Sequence, residues 1–222
     1  MNPKLRNIAG PLLATLAGYL SMRYVIDPYF AASKAKSNSA VVAAQTAAAA
    51  NNSARAREPV LTLPEFSLKN RNDQLQSIRS WPGQSLIINF WATWCEPCRR
   101  EMPLLMKLQQ ERAVDGFQVV GIAVDFRDAV IKYADAMKIA YPLLIGEQDG
   151  LTAIDAFGIE QAGFPFTVFT DNNGDIIVTH LGELHPADTA IILTAVQRVN
   201  RGELAVEAAR TQIAAALLNT VK

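Results

Sequence analysis

A strand-like run, Leu86-Ile87-Ile88-Asn89-Phe90-Trp91, is followed after a short gap by Cys95-Glu96-Pro97-Cys98, where helical spacing begins. A strand that reads as buried and leads straight into a helix fits a sheet with helices packed over it. The chain after Pro59 repeats this alternation. Strand-like runs recur at Val119 to Val124, Leu143 to Ile145, Phe166 to Thr170 and Ile176 to Leu181, rich in β-branched and aromatic residues and bounded by turn signals. Helical spacing predicts amphipathic helices over Pro97 to Ala113, Asp128 to Ile139 and Pro186 to Val199. Asp171 to Gly174 reads as a turn joining the last two strands as a hairpin. Phe66 and Leu68 are expected to open the domain with an extra short strand. Strands alternating with helices, then a hairpin and a helix, give an α/β sandwich around a mixed sheet.

Ahead of this domain, Lys4 and Arg6 precede an apolar run from Ile8 to Met22, which resumes at Tyr24 to Ile26 after Arg23. As a helix, Ile8 to Ile26 would be about 28 Å long, close to the ~30 Å hydrocarbon core of a bilayer. A cleaved export signal needs small residues just beyond its apolar core, but Asp27, Pro28, Tyr29 and Phe30 follow it. Residues 1–30 are therefore expected to form an uncleaved membrane anchor, although Arg23, Lys34 and Lys36 leave its orientation unsettled by charge. Residues 31–58 are mostly alanine, serine, asparagine and glutamine and read as a low-complexity tether. The domain itself is expected over 59–200. Residues 201–222 form a C-terminal helical extension, with Glu203 to Leu217 as the helix candidate, expected to pack on its own domain.

Lysine plus arginine equal aspartate plus glutamate at 21 each, so no field of one sign exists to attract nucleic acid. The chain has only two cysteines, which leaves none for a separate structural disulfide or a four-thiolate zinc site. Their placement gives them different roles. Cys95 falls at a helix N-terminus, where unpaired N–H groups and the helix dipole favour thiolate over thiol, so it is the expected nucleophile. Cys98 lies one turn inside, near enough to close a disulfide yet more shielded, which suits resolution of a mixed disulfide. Pro97 fits the first helical turn. Glu96 is expected to be exposed and, with Pro97, to tune the pair. Glu101 falls one turn after Cys98 on the same helix face, positioned to exchange protons with the thiols; burial there would raise its pKa. A metal site would need further ligands, for which His180 and His185 are the chain's two imidazoles, and both read as exposed loop residues.

The segment Trp94-Cys95-Glu96-Pro97-Cys98 after a hydrophobic strand, followed by Arg99-Arg100-Glu101-Met102-Pro103, resembles the thioredoxin superfamily and, more narrowly, its TlpA/ResA/CcmG branch. The resemblance runs from about Pro59 to about Asn200. It includes Gly163-Phe164-Pro165-Phe166-Thr167 and the Asp171-Asn172-Asn173-Gly174 hairpin, and the anchor and tether match that branch's arrangement. It implies a thioredoxin-like three-layer sandwich with a central mixed sheet, with Cys95 as attacking thiol, Cys98 as resolving thiol and Pro165 as a cis-proline facing the pair. Phe164 would then line a substrate groove, and Trp94 would partly cover the disulfide and offer an apolar surface to partners, with core packing as the alternative for each. Trp91 reads as core. One departure is informative. Where thioredoxins usually carry a buried aspartate six positions before the nucleophile, this chain has Asn89, which cannot titrate, so an acid role would fall to Glu101.

The activity implied is reduction of disulfides in extracytoplasmic proteins, such as apocytochrome c or copper-site proteins. A membrane reductant of the DsbD/CcdA type would supply electrons, no cofactor beyond the redox-active disulfide is needed, and the domain would face the periplasm or cell exterior of a bacterial inner membrane. An oxidase or isomerase reading differs in reduction potential. A peroxidase reading is weaker, because Ala92 stands where peroxiredoxins place a threonine three residues before the nucleophile. A metal-carrying module of the Sco type would separate its cysteines by three residues rather than two.

Overall fold

The computed structural model describes residues 60–159 and 163–220. The anchor and tether expected over residues 1–58 lie outside the described residues. Among the described residues no helix is long and apolar enough to cross a membrane.

Seven strands form one sheet: β1 (Ser67–Asn70), β2 (Leu75–Ser77), β3 (Ser85–Trp91), β4 (Phe117–Ala123), β5 (Leu143–Ile145), β6 (Phe166–Thr170) and β7 (Ile176–Leu181). Among the described residues five helices accompany them: α1 (Glu96–Arg112), α2 (Arg127–Met137), α3 (Gln148–Ala156), α4 (Pro186–Asn200) and α5 (Val206–Thr220). The strand order is β2-β1-β5-β4-β3-β6-β7. β3, β4 and β5 run parallel, while β6 is antiparallel to β3 and β7 to β6. The sheet is therefore mixed, as the alternation of strands and helices followed by a hairpin requires.

β3 lies inside the sheet between β4 and β6, and every one of its residues is buried. Its side chains alternate between faces with period two. Ile87 and Trp91 join Met102 and Leu105 of α1, Val130 and Ala134 of α2, Ile192 and Val196 of α4, and Ala209 and Ile213 of α5. Leu86, Ile88 and Phe90 join a second cluster with Ala153 and Ile154 of α3 and Phe157. Both faces thus carry helices, which explains why the run reads as apolar on both sides. Ser85 and Asn89 are the polar residues of β3, and Asn89 is the one that lies toward its C-terminal end.

The sequence pattern and the structure differ where elements are short. α2 stops at Met137 instead of running to Ile139, because Lys138 turns left-handed (φ 55°) and its N–H returns to the carbonyls of Ala134 and Asp135, a helix-ending arrangement. α3 and β2 have no counterpart in the pattern. Phe66 lies outside the first strand, which holds Leu68.

Packing around β4 leaves no room for an added carbon unless a neighbouring side chain shifts. A Cβ added at Gly121 of β4 would lie 2.7 Å from Leu143 Cδ2 and 3.2 Å from Trp91 Nε1. Gly121→Ala is expected to destabilise the domain by about 1–3 kcal/mol, read as a lower urea midpoint with an unchanged denaturant slope. An unchanged midpoint would show that the Leu143 side chain gives way to the added methyl.

Candidate active site

The C-terminal end of β3 delivers the chain to the start of α1 through Ala92, Thr93 and Trp94. Cys95 is the residue before the helix, with extended backbone (φ −80°, ψ 108°), and its Sγ accepts the N–H of Cys98 at 3.2 Å. A sulfur capping a helix N-terminus receives the partial positive charge of the unpaired amides, which lowers the cost of ionising it. Cys95 and Cys98 are joined by a disulfide, S–S 1.99 Å, with the Cα atoms 5.3 Å apart. Cys95 is 5 % exposed and Cys98 is fully buried, so of the two sulfur-bearing residues only the leading one meets solvent. Pro97 sits in the first turn, where no intrahelical donor is lost.

The approach loop is anchored from the neighbouring strand. Asp125, two residues beyond β4, accepts the Thr93 N–H at 2.9 Å and the Thr93 hydroxyl through Oδ2, while its Oδ1 accepts the Phe126 N–H at 2.7 Å. Trp94 projects outward, 68 % exposed, which rules out the core-packing alternative for it. Its ring meets that of half-buried Phe164 edge-on at 5.9 Å between centroids. The Phe164–Pro165 peptide bond is cis, and Pro165 is buried. Trp94, Cys95 and Phe164 thus converge from two segments distant in sequence. Trp91 is wholly buried.

One turn beyond Cys98 on the same helix, a carboxyl group is buried. Glu101 is 2 % exposed. Its Oε1 accepts Asn89 Nδ2 at 2.7 Å and its Oε2 accepts the Leu184 N–H at 2.7 Å. Burial pushes its pKa up to about 7; the two hydrogen bonds oppose that rise, and the Glu183 carboxylate adds to it. Asn89 Nδ2 also donates to Thr167 Oγ1 at 3.1 Å, while Asn89 Oδ1 is buried without a partner. The nearby Tyr141 phenol, held far above its ordinary pKa first by burial, donates to Met102 Sδ at 2.9 Å.

Glu96 is exposed and accepts Arg100 Nη1 at 3.2 Å. His180 lies within β7, half-buried rather than in an exposed loop, with Nε2 3.3 Å from the Glu183 carbonyl oxygen. His185 is exposed ahead of α4. Among the described residues no group of three or more His, Cys, Asp or Glu side chains gathers as a metal site would require. Asp125 and the Leu184 N–H are participants outside the motifs, and Thr167, inside one, carries a hydrogen-bonding role that the motif does not announce. Asp125 had a usable signal, since it follows a parallel strand at the sheet end where α/β sites assemble.

A protein-family model described as the AhpC/TSA family matches residues 61–179, more than half of the 222-residue chain. The chain is 37% identical over 127 residues to a thioredoxin-like protein, YneN, of Bacillus subtilis, covering 54% of this chain and 70% of that one. It is 30% identical over 118 residues to the thiol-disulfide oxidoreductase ResA of Halalkalibacterium halodurans, covering 53% of this chain and 65% of the relative. The crystal structure of a thiol:disulfide interchange protein of the thioredoxin family from Chlorobium tepidum aligns with a TM-score of 0.56 at 30% identity, over 63% of this chain and 97% of that one. The fold, the joined Cys95–Cys98 pair at a helix start and these similarities agree, and the chain belongs to the thioredoxin-like AhpC/TSA family.

Proposed function

We propose that this protein reduces disulfides of extracytoplasmic protein substrates, held to a bacterial inner membrane by residues 1–30. The observation that carries the reading is the Cys95 sulfur at the N-terminus of α1, accepting a backbone N–H and joined to a fully buried Cys98. In the reduced protein the Cys95 thiolate attacks a substrate disulfide, forms a mixed disulfide and expels one substrate thiolate, which takes up a proton. Cys98 then attacks Cys95 Sγ, releasing the second substrate thiol and regenerating the Cys95–Cys98 disulfide. Two electrons pass to the substrate, and a membrane dithiol donor of the DsbD/CcdA type returns two.

Glu101 serves as the proton acceptor for Cys98, one turn away on the same helix face. Trp94 and Phe164, with Pro165 behind them, offer the apolar surface on which a substrate segment lies, while Glu96 and Pro97 tune the dithiol. The carriers of haem-attachment cysteines and of copper-site cysteines in the extracytoplasmic space are the substrate classes this reading favours. The same sulfur pair accepts and returns the electrons, so the cycle requires no organic cofactor.

The test is insulin-disulfide reduction by the full chain in detergent, with a glutathione titration of the pair. The reading expects turnover and a potential more reducing than about −180 mV, the value of a disulfide isomerase. A potential above that, near about −120 mV, would assign the chain to disulfide formation instead.

A further inference from the structure

The loop Gly182 to Leu184, between β7 and α4, touches the site at three points. Gly182 N–H donates to the Pro165 carbonyl at 2.9 Å, and Leu184 N–H donates to Glu101 Oε2 at 2.7 Å. Between them, the Glu183 carboxylate receives Arg100 as a fork: Nε lies 3.2 and 3.0 Å from its two oxygens and Nη2 lies 2.6 Å from Oε2. Arg100 and Glu101 are consecutive in α1, so their side chains leave the helix about 100° apart. One grips the loop's side chain from outside; the other meets its backbone from inside. Arg100 also donates to Glu96, between the cysteines.

We infer that Arg100 is a positioning residue for Glu101: its grip on Glu183 holds the Leu184 N–H against the Glu101 carboxylate, the arrangement that favours the ionised form. Leu184 is buried, which anchors the end of the loop, and its peptide plane is approached from β7 by His180, whose Nε2 lies 3.3 Å from the Glu183 carbonyl oxygen. The bidentate guanidinium–carboxylate contact on Glu183 adds a second constraint from the side-chain end, because its planar geometry fixes direction as well as distance.

The groups facing Glu101 leave few other controls. Asn89 from β3 and Thr167 from β6 are neutral, Tyr141 ahead of β5 remains a neutral phenol, and Cys98 on the same helix is tied in the disulfide. Glu183 is the charged group acting on Glu101 from the loop, and exposed His185 acts on Glu183 in turn. Arg100 thus both orients the loop and offsets the charge that opposes ionisation of Glu101.

The inference rests on the proton role given to Glu101 above, and its test uses a separate signal. The Glu101 side-chain carboxyl is followed by 13C NMR across a pH titration of the oxidised full chain in detergent, whether or not that chain reduces insulin. Arg100→Met is expected to move the midpoint upward by about one pH unit, since a donor to the ionised form is lost. Arg100→Lys, which keeps the charge but not the fork, should move it in the same direction. In a Glu183→Gln background, Arg100→Met should produce no further movement, because the two act as one unit. An unmoved midpoint in Arg100→Met, no movement in Arg100→Lys, or an equal shift with and without Glu183→Gln would overturn it, the last two by showing that charge alone is at work.

Discussion

Cys95→Ser is expected to reduce insulin reduction by the full chain to the uncatalysed rate, whereas Cys98→Ser should accumulate covalent mixed disulfides with substrate. The asymmetry follows from geometry. Cys95 has the solvent contact and the helix-terminal N–H, while Cys98 has neither exposure nor a position from which to meet an incoming disulfide. A hydroxyl at position 95 is a far weaker nucleophile near neutral pH, and the chain's one other cysteine, Cys98, is fully buried and cannot replace it. Serine at 98 leaves the first attack intact and removes only the escape step. Alkylation of the reduced protein gives an independent check. Helix-terminal cysteines ionise at pKa values of about 3.5–7.5, against roughly 8.5 for a free thiol. The Cys95 rate should therefore reach its plateau below the pH at which an unstructured peptide thiol does. If Cys95 reacts no faster than such a thiol at neutral pH, the helix terminus does not activate it and the enzymatic reading fails.

The strands most legible in the sequence were those whose residues are buried on both faces or lie in a well-marked hairpin: β5, β6 and β7 span the residues expected of them. Leu86 to Trp91 carried the clearest signal because both core clusters draw on it. α3 was hidden because it spans just nine residues, includes Gly150 and lacks a side-chain cap, too short for helical period to emerge. β2 holds three residues and its Leu75 is 75 % exposed, so neither alternation nor burial marks it. The two cysteines and Glu101 stood out by residue type and spacing, and Pro165 through the family resemblance. Their surroundings did not, because the Leu184 N–H and Thr167 act through a backbone donor and a long-range contact that leave no local pattern. Asn89 is the instructive case. The missing titratable group on β3 was readable, but its service as an amide donor to Glu101 depends on how closely α1 packs over β3.

Glu101→Gln should remove a pH dependence from both stability and catalysis. The folded-state pKa of about 7 lies above the 4.5 of an unperturbed glutamate. Between those values the folded chain binds more protons than the unfolded chain, so stability falls as pH rises. The contribution is fully present below about pH 4.5 and lost as pH climbs through 7. With Glu101 at 2 % exposure, the difference corresponds to roughly 3 kcal/mol across that window. Urea unfolding of the oxidised protein at pH 5 and pH 8 should show this loss, and Glu101→Gln should largely abolish it. Glutamine accepts through one oxygen only and leaves either Asn89 Nδ2 or the Leu184 N–H facing an amino group. The variant should therefore be the less stable protein at pH 5. Catalysis tests the same proton differently. The ionised carboxylate can accept the Cys98 proton during resolution of the mixed disulfide, so the resolution rate should rise through about pH 7 in the parent. In Glu101→Gln that rise should vanish and the rate fall by roughly 10²-fold. Persistence of the inflection in the variant would assign the proton transfer to water, leaving the sulfur chemistry of Cys95 and Cys98 as it stands.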